Sequence, residues 1–221
     1  MTIQLVVARY LENLNWLNNI PPQIQSRVYD KSPSGDLPNV GREAHTYLHH
    51  IVENYDALAD LTIFAQGKPF DHAFDFHQTL RALAATADVA ASDDVAAFRW
   101  LGHIIDTDDN LGARLFATWS KNNGDERLDM NGFHHALFEE DGPATYTFVL
   151  GAQFVASREL IRSRPLAFWR RALQISMEFP DAAHCYERSW DRVFGVEGID
   201  KEWLAGRETV YLKPIRRLTE N

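Results

Sequence analysis

A glycine, an arginine and a glutamate stand in a row at Gly41-Arg42-Glu43, directly ahead of an apolar stripe with helical period. Free backbone N–H groups at a helix start favour an anion, and Arg42 adds a fixed positive charge beside them. A phosphate group suits that end. The competing assignment makes Arg42 a surface arginine and Glu43 an acid that complements the helix dipole. Seven residues on, His50 falls on the same side of the expected helix as Glu43. A carboxylate that orients an imidazole serves catalysis and metal binding alike, and a hydrogen-bonded pair at the rim of the core uses the same two residues. His45 and His49 have the i, i+4 spacing of metal ligands. They lack an HExxH or cysteine partner and read as a solvated face.

Further along, Asp71-His72 follows an expected strand closely, where an α/β enzyme places a metal or a general base. Asp and His are also ordinary loop residues. In the acidic run Asp106-Thr107-Asp108-Asp109, two carboxylates one residue apart can chelate a divalent ion that bridges a diphosphate, or simply cover a loop. Glu187 and Asp191 are i and i+4 on an expected helix, where Arg188 and Arg192 can offset their repulsion. Glu187 is either part of that solvated network or a general base facing the open end of a sheet. Trp190 can stack on a sugar ring, or join Tyr186, four residues earlier, in the core. The sequence holds no Walker loop, GxGxxG or GxSxG, and Cys185 sits in no nucleophile motif. P-loop, dinucleotide and serine-hydrolase chemistries are therefore poor matches.

The elements that must carry these residues follow from periodicity. Residues 3–9 form a short apolar, β-branched run, as expected of a buried strand. Glu12 to Ile20 reads as a helix stopped by Pro21-Pro22, and Arg27 to Tyr29 as a second strand. Ala44, Tyr47, Leu48, Ile51, Val52, Tyr55 and Leu58 trace one face of a 3.6-residue period, and Leu61 to Ala65 is a third strand. Strand, helix, strand, helix, strand predicts a mostly parallel central sheet with helices on both faces. Ligands of such sheets bind outside the carboxyl ends of the strands. Three polar clusters lie there: Arg9-Tyr10-Leu11-Glu12, Tyr29-Asp30-Lys31 and Gln66-Gly67-Lys68-Pro69.

In the second half, Phe74 to Thr86, Asn110 to Lys121 and Asn131 to Glu140 read as helices, and Phe98 to Ile105 as either strand or helix. Thr145 to Leu150 alternates like a hairpin strand, with Gly151 to Ala156 extending it. Ser157 suits a helix cap, Pro165 a first turn, and Asp181 the cap of a helix to Phe194 closed by Gly195. The tail carries Arg207, Lys213, Arg216 and Arg217. No repeat or linker divides the 221 residues, so one domain, 1–221, is expected.

Net charge of −9 argues against sequence-independent nucleic-acid binding, which needs a basic surface. A single cysteine permits no intrachain disulfide and fits a reducing, cytoplasmic setting. The apolar start is interrupted by Arg9, too soon for a secretory segment, and no stretch approaches a membrane span.

Several of these residues also carry a resemblance. Val6-Val7-Ala8-Arg9-Tyr10, Glu12, Trp16-Leu17, Asn39-Val40-Gly41-Arg42-Glu43, Tyr47-Leu48, His50-Ile51 and Gln66-Gly67 resemble a bacterial and fungal family catalogued only as a domain of unknown function. So do Gly151-Ala152-Gln153-Phe154, Ser157-Arg158-Glu159, Arg164-Pro165 and Glu187-Arg188-Ser189-Trp190. That family is similar to GT-A glycosyltransferases, some of which open a helix with Asn-x-Gly-Arg-Asp. The resemblance implies a GT-A-like fold and a nucleotide-diphospho-sugar site near Arg9, Arg42 and Glu43, with Glu187 near the acceptor. Two departures stand out. Ala65-Gln66-Gly67 replaces the metal-binding Asp-x-Asp of many such enzymes, and Leu11-Glu12 replaces an Asn-Glu pair.

The expectation is thus a glycosyltransferase-like protein acting on a nucleotide sugar and an unspecified acceptor, either without a tightly bound metal or with Mn or Mg. Glu187 and His72 are its catalytic candidates. Arg9, Tyr10, Glu12, Asn39, Arg42, Glu43, His50, Gln66, Gln153 and Trp190 are its candidate substrate contacts, and Asp71 and His72 its candidate metal ligands. Two alternatives stay open. One is a metal-dependent hydrolase or lyase using Glu43, His50, Asp71 and His72. The other is a non-catalytic sugar-nucleotide-binding module.

Overall fold

Apolar runs of period two and stripes of period 3.6 sort this chain into two sheets and eight α-helices among its described residues. The computed structural model describes residues 1–87, 97–119, 126–199, 202 and 204–212. Lys121 and the tail positions Lys213, Arg216 and Arg217 lie outside them.

The first half follows the expected alternation. β1 (Ile3–Arg9) pairs in parallel with β2 (Ile24–Asp30) on one side and β3 (Leu61–Gln66) on the other, Val6 lying opposite Arg27 and Phe64. Where a helix was expected over Glu12 to Ile20, only a 3₁₀ turn forms, at Asn15–Asn19. It buries Trp16, whose indole N–H donates to Gly67 O at 2.9 Å. Between β2 and β3 runs α1 (Arg42–Glu53), which buries Ala44, Tyr47, Leu48 and Ile51, much of the predicted stripe.

The second half departs from the parallel expectation. β7 (Phe154–Ser157) is antiparallel to β3 and to the edge strand β4 (Phe98–Trp100), giving a five-stranded sheet of order β2-β1-β3-β7-β4. Two of its four pairings are antiparallel. The second sheet, β6 (Thr145–Val149), β5 (Ile104–Asp109) and β8 (Thr209–Tyr211), is antiparallel throughout. A mostly parallel sheet is therefore corrected to a mixed one. The physical reason lies in how the strands are reached. A parallel neighbour is entered by a crossover from the strand beside it, whereas Leu101–His103 between β4 and β5 and Leu150–Gln153 between β6 and β7 carry the chain from one sheet to the other, so β7 enters the large sheet from the second sheet and not by a helical crossover from β3. The run read as one strand from Thr145 to Ala156 is split there. Gly151 at φ 95° and Ala152 at φ 50° turn the chain from one sheet into the other.

Helices cover both faces of the large sheet, as expected. On one face α2 (Phe76–Ala87) packs Phe76, Leu80 and Leu83 against Leu5, Val7, Ile63 and Val155. On the other, α1 lies with α6 (Leu166–Glu178), α7 (Ala182–Glu187) and α8 (Trp190–Phe194) over Val6, Phe64 and Phe154. Three shorter helices complete the described chain: α3 (Phe116–Trp119), α4 (Met130–Phe138) and α5 (Arg158–Ser163). Ser157 caps α5 as expected, its hydroxyl accepting from Leu160 N at 3.1 Å. Asp181, at φ 51°, gives no side-chain cap, and the helix expected from it to Phe194 breaks into α7 and α8 around Arg188-Ser189. No helix among the described residues is long and apolar enough to cross a membrane.

Candidate functional site

A cleft of about 690 Å³ opens between the carboxyl end of β3, the start of α1, α7 and the second sheet. Arg42, Glu43, Gln66, His72, Asp106, Arg114, His184, Glu187 and Arg188 supply its polar lining, and Phe116, Phe148 and Leu150 part of its apolar wall. That size suits a small-molecule ligand.

Each polar residue is placed by a local device. Gly41 adopts φ 58°, and an added Cβ would lie 2.2 Å from the carbonyl oxygen of Ser176 on α6. Only glycine fits so close an approach with positive φ. Arg42 follows at φ 46°, is exposed, and makes no ion pair with any described residue. Glu43 lies deep in the cleft with an accessible edge. Burial, then the negative charge of Glu187, raise its carboxyl from an ordinary 4.5 to about 7, against the opposing pull of Arg42 and Lys31. Glu187 closes α7 and accepts the N–H of Gly151 at 2.7 Å. Gly151 in turn packs on His72: a Cβ there would stand 2.5 Å from that of His72. The Nδ1 of His72 is buried without a hydrogen-bond partner among the described residues. Beneath the acids, Tyr47 is fully buried, and its hydroxyl also has none. Burial, then Glu43 and Glu187, push that phenol well above its usual range.

The acidic run resolves into a charge ladder. On β5, Asp106 and Asp108 point the same way because strand side chains alternate. Asp106 accepts from Arg114 at 2.5 Å and from Thr209 at 2.9 Å. Asp108 is buried against Arg188 at 2.6 Å and accepts the N–H groups of Arg114, Leu115 and Phe116. The chelating pair expected there is thus matched by two arginines, and Arg188 is an internal cation lying over the Phe148 ring instead of a surface one. Among the described residues no three His, Cys, Asp or Glu side chains come together as a metal site.

Five of the expected site residues meet in the cleft: Arg42, Glu43, Gln66, His72 and Glu187. The others serve elsewhere. Arg9 forms an ion pair with Asp30, and Glu12 accepts the N–H of Tyr10 at 2.6 Å while packing on Gly67. Arg9 and Glu12 line one shallow surface hollow, Tyr10 and Asn39 another. Asp71 pairs with Lys68 on the surface. His50 is fully buried and meets the Tyr29 hydroxyl at 3.0 Å through Nδ1, so it does not partner Glu43. His45, expected on a solvated face, is also buried, stacked on His49. Gln153 donates to Pro69 O at 3.0 Å within the core. Trp190 is fully buried against Tyr186 and Phe154, which settles its two readings in favour of packing. The sequence reading missed Arg114, His184 and the cleft role of Arg188. The i, i+2 spacing of Asp106 and Asp108 in a strand was a signal that this face needed cations. Nothing local told which arginines would arrive, since Arg188 comes from 80 residues on.

A mixed α/β fold with an arginine- and carboxylate-lined cleft defines the class. The chain belongs to the family described as Protein of unknown function (DUF3431), whose model matches residues 5–203. No curated protein and no solved structure matches it.

Proposed function

We propose that this cleft is the active site of a GT-A-like glycosyltransferase that takes a nucleotide-diphospho-sugar as donor. The observation that carries the reading is the start of α1. An exposed arginine without an acidic partner among the described residues stands beside Glu43, and burial, then Glu187, raise the pKa of that acid. A guanidinium fork matches phosphate oxygens in pairs and takes up the charge that grows on a departing diphosphate. A carboxyl held near 7 is part-protonated at neutral pH. In the proposed step, the acceptor oxygen attacks the anomeric carbon as its proton passes to Glu187. The bond from that carbon to the diphosphate breaks, and Arg42 meets the leaving oxygens. Glu43, protonated through part of the neutral range, keeps two adjacent carboxylates from both carrying full charge. Asp106 and Asp108 already match Arg114 and Arg188, so of the three arginines that line the cleft only Arg42 has no carboxylate partner among the described residues. The described residues do not fit a metal held by protein alone. A divalent cation here would need diphosphate oxygens among its ligands.

Thermal-shift measurements with nucleoside diphosphates and nucleotide sugars, with and without Mn²⁺, test the reading. A ligand at a hundredfold its Kd adds about 2.7 kcal/mol, so a true donor gives a clear rise in Tm. A flat response across the set removes the proposal.

One observation favours a second reading. His72, with its unpartnered Nδ1, and His184 line the same cleft as Glu43 and Glu187. These side chains do not gather as a metal site by themselves, so a metal-assisted hydrolase or lyase here would need substrate atoms to complete the ligand set. Stoichiometric Zn or Fe in untagged protein, lost on His72→Ala, would establish it over glycosyl transfer. Binding of a nucleotide sugar without turnover would instead mark a non-catalytic module.

A further inference from the structure

We infer that Lys31 is a positioning residue for Arg42: its ammonium grips the two carbonyls that flank Gly41 and so aims the arginine into the cleft. The anion-binding part of this role rests on the function proposed above.

Lys31 directly follows β2, and its backbone N–H donates to Arg9 O at 2.8 Å, which ties it to the end of β1. Its side chain is only 4% exposed and has no carboxylate ion pair among the described residues. The ammonium donates to Val40 O, and to Arg42 O at 2.5 Å. A buried charge is costly unless its donors are matched, and here backbone carbonyls do the matching. Burial draws the amine down to about 8, while the charge of Glu43 opposes that fall.

The geometry those carbonyls adopt is unusual. Gly41 and Arg42 are consecutive left-handed residues, at φ 58° and 46°. Glycine takes that conformation freely, but a side chain there is strained and persists only where its surroundings over-determine it. Lys31 is the group that does so, by drawing both carbonyls toward one point. It is not among the residues that line the cleft, whereas Arg42 is. Its contact with the site therefore runs through the turn, beside the pull of its charge on Glu43.

Two measurements on Lys31→Met, a substitution that keeps the length and removes the donors, test this. The first is a double-mutant cycle with Arg42→Ala, read as affinity for uridine and guanosine diphosphates with Mn²⁺. Each single variant should bind roughly ten- to a hundredfold more weakly, the span of a lost hydrogen bond to a charged group. The double variant should be no weaker than either, whereas losses that multiply overturn the inference. The second needs no ligand. Limited trypsin cleavage after Arg42 should rise about tenfold relative to cleavage after Arg170, exposed on α6, because the scissile carbonyl is no longer held. A general loss of stability would raise both cuts together, and an unchanged ratio overturns the inference. Should the Met variant fold poorly, Lys31→Gln keeps one donor and should give an intermediate ratio; a ratio equal to wild type overturns it too. A raised ratio without diphosphate binding by wild type leaves Lys31 in its role and removes the nucleotide-sugar reading.

Discussion

At the scale of single residues, Arg42 and Glu43 are neighbours with opposite tasks. Arg42 is exposed at the cleft, so the core should not miss its side chain. Arg42→Ala is expected to weaken diphosphate binding by about 1.5–3 kcal/mol and leave Tm nearly unchanged. Arg42→Lys should recover only part, since an ammonium cannot reproduce a paired fork. Calorimetry and melting curves on the same two variants check both statements. Glu43 is different, because its charge is disfavoured where it sits. Its carboxyl titrates at about 7 folded against 4.5 in the open chain. Between those values the folded state binds the extra proton, so Glu43 favours folding at low pH and that favour is lost as pH rises through 7. Glu43→Gln should therefore stabilise the protein at pH 8, on the order of 2 kcal/mol, and change little at pH 4.5. Equal Tm changes at the two pH values would contradict the placement of Glu43.

Helix α1 shows how one element combines packing and site. Its apolar stripe was legible because Tyr47, Leu48 and Ile51 recur with the right period, and those residues are buried. His45 and His50 were harder, since a histidine on a helix flank reads as polar. Both are buried, and burial draws each from 6.5 down to about 4. Their neutral forms fit the fold, while the unfolded chain takes up protons below 6.5. Each therefore contributes stability that is complete above 6.5 and lost as pH falls toward 4. His50→Gln should flatten that acid limb, seen as a smaller drop in unfolding free energy between pH 7 and pH 4.5. At the helix start, Gly41→Ala is expected to cost several kcal/mol, because φ is positive and the Ser176 carbonyl leaves a Cβ no room. Urea titration of that variant measures it.

For the whole molecule, the link between the second sheet and the helical layer runs through Asp108 and Arg188. Asp108 belongs to β5, Arg188 to the break between α7 and α8, and both are buried. Removing one partner strands a buried charge. Arg188→Met should cost about 3–5 kcal/mol, and adding Asp108→Asn should recover most of it, since the amide oxygen can still accept the N–H groups of Arg114 and Leu115, which share one oxygen of Asp108. Chemical denaturation of the single and double variants decides this. A double variant no more stable than Arg188→Met would mean that the pair is not what joins the two parts.

The sequence by itself determined the first half of the fold: β1, β2, α1 and β3, the sharp turn at Gly41 and the arginine that follows it. These are local matters of period, side-chain shape and backbone freedom, within a few dozen residues. It also brought Glu43, Gln66, His72 and Glu187 into view as candidates. Only the tertiary structure decided that β7 runs antiparallel beside β3, because β7 enters the large sheet from the second sheet through Leu150–Gln153 and not by a helical crossover from β3. It alone made Trp190 and His50 core residues, since burial is set by whatever packs over a side chain. And it alone spent Asp106 and Asp108 on Arg114 and Arg188, leaving Arg42 without an acidic partner among the described residues. Charge pairing acts through space, and the partner of Asp108 lies 80 positions further along the chain.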